Sequence, residues 1–205
     1  ETFFWKSIVK NGQTIFDVGA NIGYYSLLAA KINVSGVIYA FEPVNETFNK
    51  LKNNISMNEY NNIIPFNFAI SANEVPLEIY PGDKRNTGTS SISNHIHFDG
   101  HKQTVKAITI DGFVKENNMQ RLDLVKIDVE GAEMMVLKGM ENTLDRLKPT
   151  ILIELIDSRL RDAGSSLIEV YEYLHGHSYK PYMLQKNRIL PSEKYLEGSL
   201  VIFKA

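Results

Sequence analysis

A chain of 205 residues with 43% hydrophobic content can bury one sizeable core, so a single α/β domain over 1–205 is expected. A net charge of −2 and a pI near 6.3 leave no basic footprint for nucleic acid, and no apolar run approaches the ~20 residues of a membrane helix. The absence of cysteine excludes disulfides and cysteine-based metal or nucleophile sites; it fits a reducing compartment, and the cytoplasm is the expected location.

Phe3, Phe4, Trp5, Ile8 and Val9 predict a short helix within 3–11. The strand-forming run Thr14-Ile15-Phe16-Asp17-Val18 then meets Gly19-Ala20-Asn21-Ile22-Gly23 and passes into a helical pattern. There Tyr24, Leu27, Leu28 and Ile32 recur at the spacing of one buried face. A strand-to-helix join is where an open α/β sheet places its ligand. Its glycines let the backbone approach closely, and helix-start amides favour an anionic group. A dinucleotide loop wants G-x-G-x-x-G, but Asn21 stands in place of the middle glycine and no third glycine is in register; the P-loop pattern is absent too. NAD and FAD are therefore disfavoured. Asp17 would repel a phosphate but could meet an ammonium, which suits an amino-acid zwitterion joined to a nucleoside, S-adenosylmethionine.

A second buried strand, Val37–Phe41, ends at Glu42-Pro43. An acid there, about 20 residues past the glycine loop, is placed to bond ribose hydroxyls. Helix capping is the plainer role for Glu42, but the register with Asp17 and the glycine loop favours ribose. A helix is predicted over 45–58 with Phe48, Leu51 and Ile55 on one face. The third strand is Ile63–Phe68, leading to Ala69-Ile70-Ser71, where Ala69 and Ile70 either wall an adenine ring or are ordinary core.

Residues 71–121 break the alternation. Pro76–Pro81 and Val105–Ile110 read as strands, and the polar stretch 82–103 between them reads as a lid, so 71–110 is expected to be an inserted strand pair carrying a lid. Leu122–Asp128 is the fourth strand. One long helix should follow, with Glu133, Leu137, Met140, Leu144 and Leu147 on a stripe and Pro149 ending it. Thr150–Leu155 is the fifth strand, and Leu167, Tyr171 and Leu174 face inward from a helix over 165–176. Tyr179–Leu184 and Ser199–Phe203 form an antiparallel edge pair. The expected architecture is a seven-stranded, mostly parallel sheet in the order 3-2-1-4-5-7-6, with helices on both faces. Asn33, Asn45 and Asn54 begin chance N-x-S/T matches in an asparagine-rich chain without a signal peptide, and the start at Glu1 is expected of a trimmed or processed piece of a longer protein.

Taken together, Asp17–Tyr25, Phe41-Glu42-Pro43, Lys126–Glu133 and Ile153-Glu154 resemble the FkbM-type methyltransferases, over about residues 12 to 203. The segments DVGANIG and KIDVEGAE, at this spacing, carry the resemblance. It implies a Rossmann-like class I methyltransferase fold and S-adenosylmethionine-dependent O-methylation, often of sugars or secondary metabolites, with S-adenosylhomocysteine as product. It also implies cofactor contacts at Asp17, Gly19, Asn21, Gly23 and Glu42; Ala20, Pro43, Ala69, Ile70 and Asp128 complete the expected set. Thr89-Ser90-Ser91-Ile92 looks like the family's short serine-containing stretch before the fourth strand.

Methyl transfer from a sulfonium needs acceptor oxygen, methyl carbon and sulfur held in line, and a weakly acidic hydroxyl needs a base. The carboxyl end of the fourth strand faces that point. Asp128 and Glu130 stand there, and one of them is expected as base or acceptor anchor, Glu130 slightly ahead. The alternative is that Asp128 orders the cofactor loop while Glu130 and Glu133 favour a helix start. His95, His97 and His101 are rival bases. His95 and His97 share a face if extended, and His101, Asp99 or Asp128 could complete a metal site, but no metal is expected. Glu154 is expected to bond a neighbouring loop rather than the acceptor, and Lys126 to be structural. The expected partner is a small-molecule or saccharide acceptor. A nucleic-acid base methyltransferase would carry Asn/Asp-Pro-Pro-Tyr/Phe after the fourth strand, where Asp128-Val129-Glu130-Gly131 stands. A non-catalytic S-adenosylmethionine-binding module, or a methyltransferase of nucleic acid or protein, is the alternative reading.

Overall fold

In the computed structural model, which describes residues 2–80, 102–185 and 188–205, apolar strands alternate with helices that cover both faces of one large sheet. The first half runs α1 (Thr2–Ile8), β1 (Thr14–Val18), α2 (Tyr24–Ile32), β2 (Val37–Phe41), α3 (Asn45–Met57) and β3 (Ile63–Phe66). The insertion follows as β4 (Ala69–Ile70), β5 (Leu77–Ile79), β6 (Gln103–Val105), β7 (Ala107–Ile108) and α4 (Ile110–Glu116). Regularity returns with β8 (Leu124–Ile127), α5 (Glu133–Lys138), α6 (Glu141–Arg146), β9 (Thr150–Leu155), α7 (Asp157–Asp162) and α8 (Leu167–Gly176). The chain closes with β10 (Lys180–Gln185), β11 (Arg188–Pro191) and β12 (Gly198–Lys204).

The large sheet has the order β3-β2-β1-β8-β9-β12-β10-β11. The strands from β3 to β9 pair in parallel, whereas β12 is antiparallel to both β9 and β10. With β8, β9, β10 and β12 as strands four to seven, this is the expected order. The count differs: an eighth strand, β11, folds back antiparallel on β10. Its Arg-Ile-Leu-Pro run is short and ends in proline, a composition tolerated at a sheet edge but weak as a strand signal. The crossovers reverse direction between β1 and β8, which opens a crevice at their carboxyl ends.

Strand alternation feeds two cores. Phe16, Val125, Ile127, Ile151 and Ile153 face Phe113, Val136, Leu137 and Leu174, while Ile15, Ile38, Leu124, Leu152 and Ile202 face Trp5, Ala29, Ala30 and Leu51. α2 corrects the sequence reading of its buried face. Ser26, Ala29 and Ala30 are buried, Leu27 and Leu28 only partly so, and Tyr24 is 51% exposed. Small side chains let the helix lie close against the sheet, so bulk misplaces the face.

The insertion is a pair of small sheets, β4 parallel to β7 and β5 antiparallel to β6. The strand expected over 105–110 stops at Ile108. Thr109 Oγ1 accepts the Gly112 amide, a helix N-cap, and α4 begins. Phe113 on α4 then meets Phe16, Tyr39, Phe41 and Phe66 edge-on, with ring centroids 5.2–5.6 Å apart. The single helix expected over 133–147 is two. A Cβ at Gly139 would lie 2.0 Å from the Ser71 carbonyl oxygen, so the chain passes tightly under the end of β4. Asp111 then accepts the amides of Asn142 and Thr143 and starts α6 anew. The lid candidates His95, His97, Asp99, His101 and Thr89–Ile92 lie outside the described residues. Among the described residues, no helix is long and apolar enough to cross a membrane.

Because Phe113 locks the insertion onto the sheet, Phe113→Ala should cost about 3–5 kcal/mol. A urea denaturation midpoint that does not fall would show that α4 docks without it.

Candidate active site

The crevice between β1 and β8 is shaped by glycine geometry. Gly19 has φ 74, and a Cβ there would come 1.9 Å from the Asp128 carbonyl oxygen, so only glycine lets the two strand ends meet. The Gly19 and Ala20 amides donate to the Phe41 carbonyl at 3.0 and 2.9 Å, which pins the loop to β2. Glu42 follows β2 and is 6% exposed. Its Oε2 accepts the Asn21 amide at 3.0 Å and its Oε1 the Val44 amide at 2.9 Å, so it ties the glycine loop to the entry of α3. Burial pushes its carboxyl up to about 7 despite those amides.

Behind the loop lies Lys126, buried among carboxylates. Its Nζ is 3.2 Å from Asp17 Oδ1, 3.3 Å from Asp128 Oδ2 and 3.4 Å from the Gly19 carbonyl, above the ring of Tyr25. Burial disfavours its charge, but the two carboxylates outweigh that and hold its pKa above the ordinary lysine value. Asp17 Oδ2 accepts the Ser26 hydroxyl at 2.6 Å. Oδ1 meets Lys126 as an ion pair without aligned hydrogen-bond geometry. The ammonium beside Asp17 is that of Lys126, which joins both sides of the crevice.

The turn after β8 has Glu130 and Gly131 in the left-handed region, at φ 55 and 107. Glu133 Oε1 accepts the amides of Val129 and Gly131, both at 3.2 Å, so its buried carboxyl shapes the turn. Burial also pushes its pKa up. Glu130 instead reaches Arg159, whose Nη1 lies 2.6 Å from Glu130 Oε2 and 2.6 Å from Glu154 Oε2. Burial raises Glu130 to about 7, with Arg159 opposing and Asp128 adding to the shift. Glu154 is raised to about 8 by burial and then by Asp128. Oxygens of Asp128, Glu130 and Glu154 come within 4.8 Å of one another, close enough to share a cation, and Arg159 places a positive charge beside them.

These groups border a cavity of about 230 Å³. Gly19, Asn21, Glu42, Pro43, Ala69, Ile70, Asp128 and Glu130 all line it; buried Asp17 behind the loop, and Ala20 and Gly23 within it, do not. Ala69 and Ile70 are both buried core and part of an apolar wall with Phe68, Leu77 and Ile79. Glu154, expected only to bond a neighbouring loop, bonds Arg159 and also lines the cavity. Arg159 itself escaped the sequence reading. Its only signal is the short run Asp157-Ser158-Arg159-Leu160-Arg161-Asp162, where Leu160 alone faces inward.

The family model of the methyltransferase FkbM domain matches residues 17–181. The chain belongs to the FkbM methyltransferase family. Among curated relatives it is 32% identical over 144 residues to the hexuronic acid methyltransferase AglP of Haloferax volcanii, covering 70% of this chain and 56% of that protein. It is 28% identical over 162 residues to Methyltransferase 1 of Beauveria bassiana, covering 71% of this chain and 65% of that protein. It is also 25% identical over 179 residues to the 2-O-methyltransferase NoeI of Sinorhizobium fredii, covering 80% and 72%. The chain thus spans less than two thirds of the first two relatives. In fold, this FkbM-family chain is similar to the precorrin-6y C5,15-methyltransferase of Geobacter metallireducens, with TM-score 0.56, 12% identity and coverage of 98% and 84%. A Streptococcus mutans protein solved in complex with SAH gives TM-score 0.54 and 10% identity, covering 100% and 96%.

Removing the buried cation that pairs with buried Asp17 and partly buried Asp128 should be costly: Lys126→Ala is expected to lose about 3–5 kcal/mol of stability in urea denaturation. A loss below about 1 kcal/mol, the range of exposed ion pairs, would deny it the role of joining the strand ends.

Proposed function

We propose that the chain is an S-adenosylmethionine-dependent O-methyltransferase acting on a hydroxyl of a saccharide or other small molecule, with residues 1–205 as one domain. The observation that carries this reading is the group of Asp128, Glu130 and Glu154 at the carboxyl ends of β8 and β9, across the crevice from the glycine loop. The name of one relative, a hexuronic acid methyltransferase, supports a sugar as acceptor, and that of another, a 2-O-methyltransferase, supports transfer to oxygen.

The residues present fit the cofactor. The loop at Gly19 comes as close to β8 as a backbone without Cβ allows, which leaves room above it. Gly19 and Asn21 would face the methionine end, Glu42 the ribose hydroxyls, and Pro43, Ala69 and Ile70 the adenine ring. Asp17 would act from behind, holding the loop through Ser26 and Lys126. When bound, the cofactor supplies an electrophilic methyl on a sulfonium. Glu130 is the base for the acceptor hydroxyl, since a carboxyl titrating near 7 can be ionised at working pH and still hold a proton well. Asp128, beside it and paired with Lys126, orients the acceptor.

Calorimetric titration should give micromolar affinity for S-adenosylhomocysteine and no heat with NAD; binding to NAD alone would overturn the cofactor reading. A base must be ionised to act, so turnover should rise with pH through about 7. Glu130→Gln should remove that rise and lower turnover by about 10²–10⁴ with cofactor affinity retained. Unimpaired turnover would take Glu130 out of the role. Product screening by mass spectrometry over hydroxyl compounds, uronic acids included, identifies the acceptor.

A further inference from the structure

Arg159 connects the two strand ends that frame the acidic end of the cavity. From α7 its Nη1 reaches Glu130, on the turn after β8, and Glu154, at the end of β9, both at 2.6 Å. Carboxyls drawn to one nitrogen repel each other unless the cation offsets them or one keeps its proton. α7 also grips the turn through the backbone, since a Cβ at Gly131 would come 2.6 Å from the Arg159 carbonyl oxygen. Among the described residues, the charged groups facing Glu130 are Arg159 from α7, Lys126 from β8, Asp128 just past β8, Glu133 from α5 and Glu154 from β9.

Resting on the reading of Glu130 as base, we propose that Arg159 is the positioning residue of the acceptor end, aiming Glu130 into the cavity and coupling its ionisation to that of Glu154. The acceptor O–H bond breaks, its proton passes to a Glu130 carboxylate oxygen, and later loss of that proton to water resets the pair.

The test uses protein labelled with carboxyl-¹³C glutamate, followed by NMR over pH, beside pH–rate profiles and S-adenosylhomocysteine calorimetry. In the unsubstituted protein the Glu130 resonance should titrate in two steps, because it feels Glu154 ionise. Glu154→Gln should leave one step. Arg159→Leu should raise the Glu130 midpoint, and the rise in turnover with pH, by about 1–3 pH units, the loss expected for an opposite charge. Cofactor affinity should hold in both variants. A purely structural brace would lower turnover at every pH without moving either midpoint. An unmoved midpoint in Arg159→Leu, or one step in both the unsubstituted protein and Glu154→Gln, overturns the proposal. If Arg159→Leu does not fold, the Glu154→Gln comparison decides alone. Failure of the base reading is separate: it shows as full turnover in Glu130→Gln, whereas lost turnover there with unmoved midpoints rejects only the role of Arg159.

Discussion

The crevice depends on one buried ammonium. Asp17 near the end of β1 and Asp128 just past β8 lie side by side, and without a cation a buried carboxylate and a partly buried one so placed would repel each other. Lys126 answers both while also touching the Gly19 carbonyl. Each partner alone would be expensive to bury; together they compensate, provided the geometry is held. Ser26, at the buried small-residue face of α2, supplies the remaining hydrogen bond to Asp17. The electrostatics of the site and the close packing of α2 are therefore one arrangement.

The same logic of desolvation runs through the cavity wall. Glu42, Glu130 and Glu154 each sit where burial outweighs favourable partners, so their carboxyls are drawn toward neutrality. They divide the cavity into two chemical ends. Near β2, Glu42 is held by backbone amides and fixed in direction. Beyond β8 and β9, the acids Glu130 and Glu154 are held by a side chain, Arg159.

Much of the frame was legible in the chain itself. Continuous apolar strands, the glycine pair and the acid after the second strand are local patterns, and the family resemblance rests on two contiguous segments. What stayed hidden depends on tertiary contact. The buried face of α2 is marked by Ser26, Ala29 and Ala30, which periodicity of bulky residues passes over. The break after α5 comes from Gly139 passing under Ser71, a contact between residues 68 positions apart. Lys126 reads as one polar residue in an apolar strand until Asp17 is seen beside it, and Arg159 sits on a helix too short to announce itself.

Glu130 has one consequence of another kind. Its backbone lies where glycine is at ease and a glutamate is not, a strain of about 1–3 kcal/mol for such a residue. Glycine at that position would relieve the chain and abolish the acid in the same step. With Glu130 as the base proposed above, ease of folding and chemistry pull this position in opposite directions.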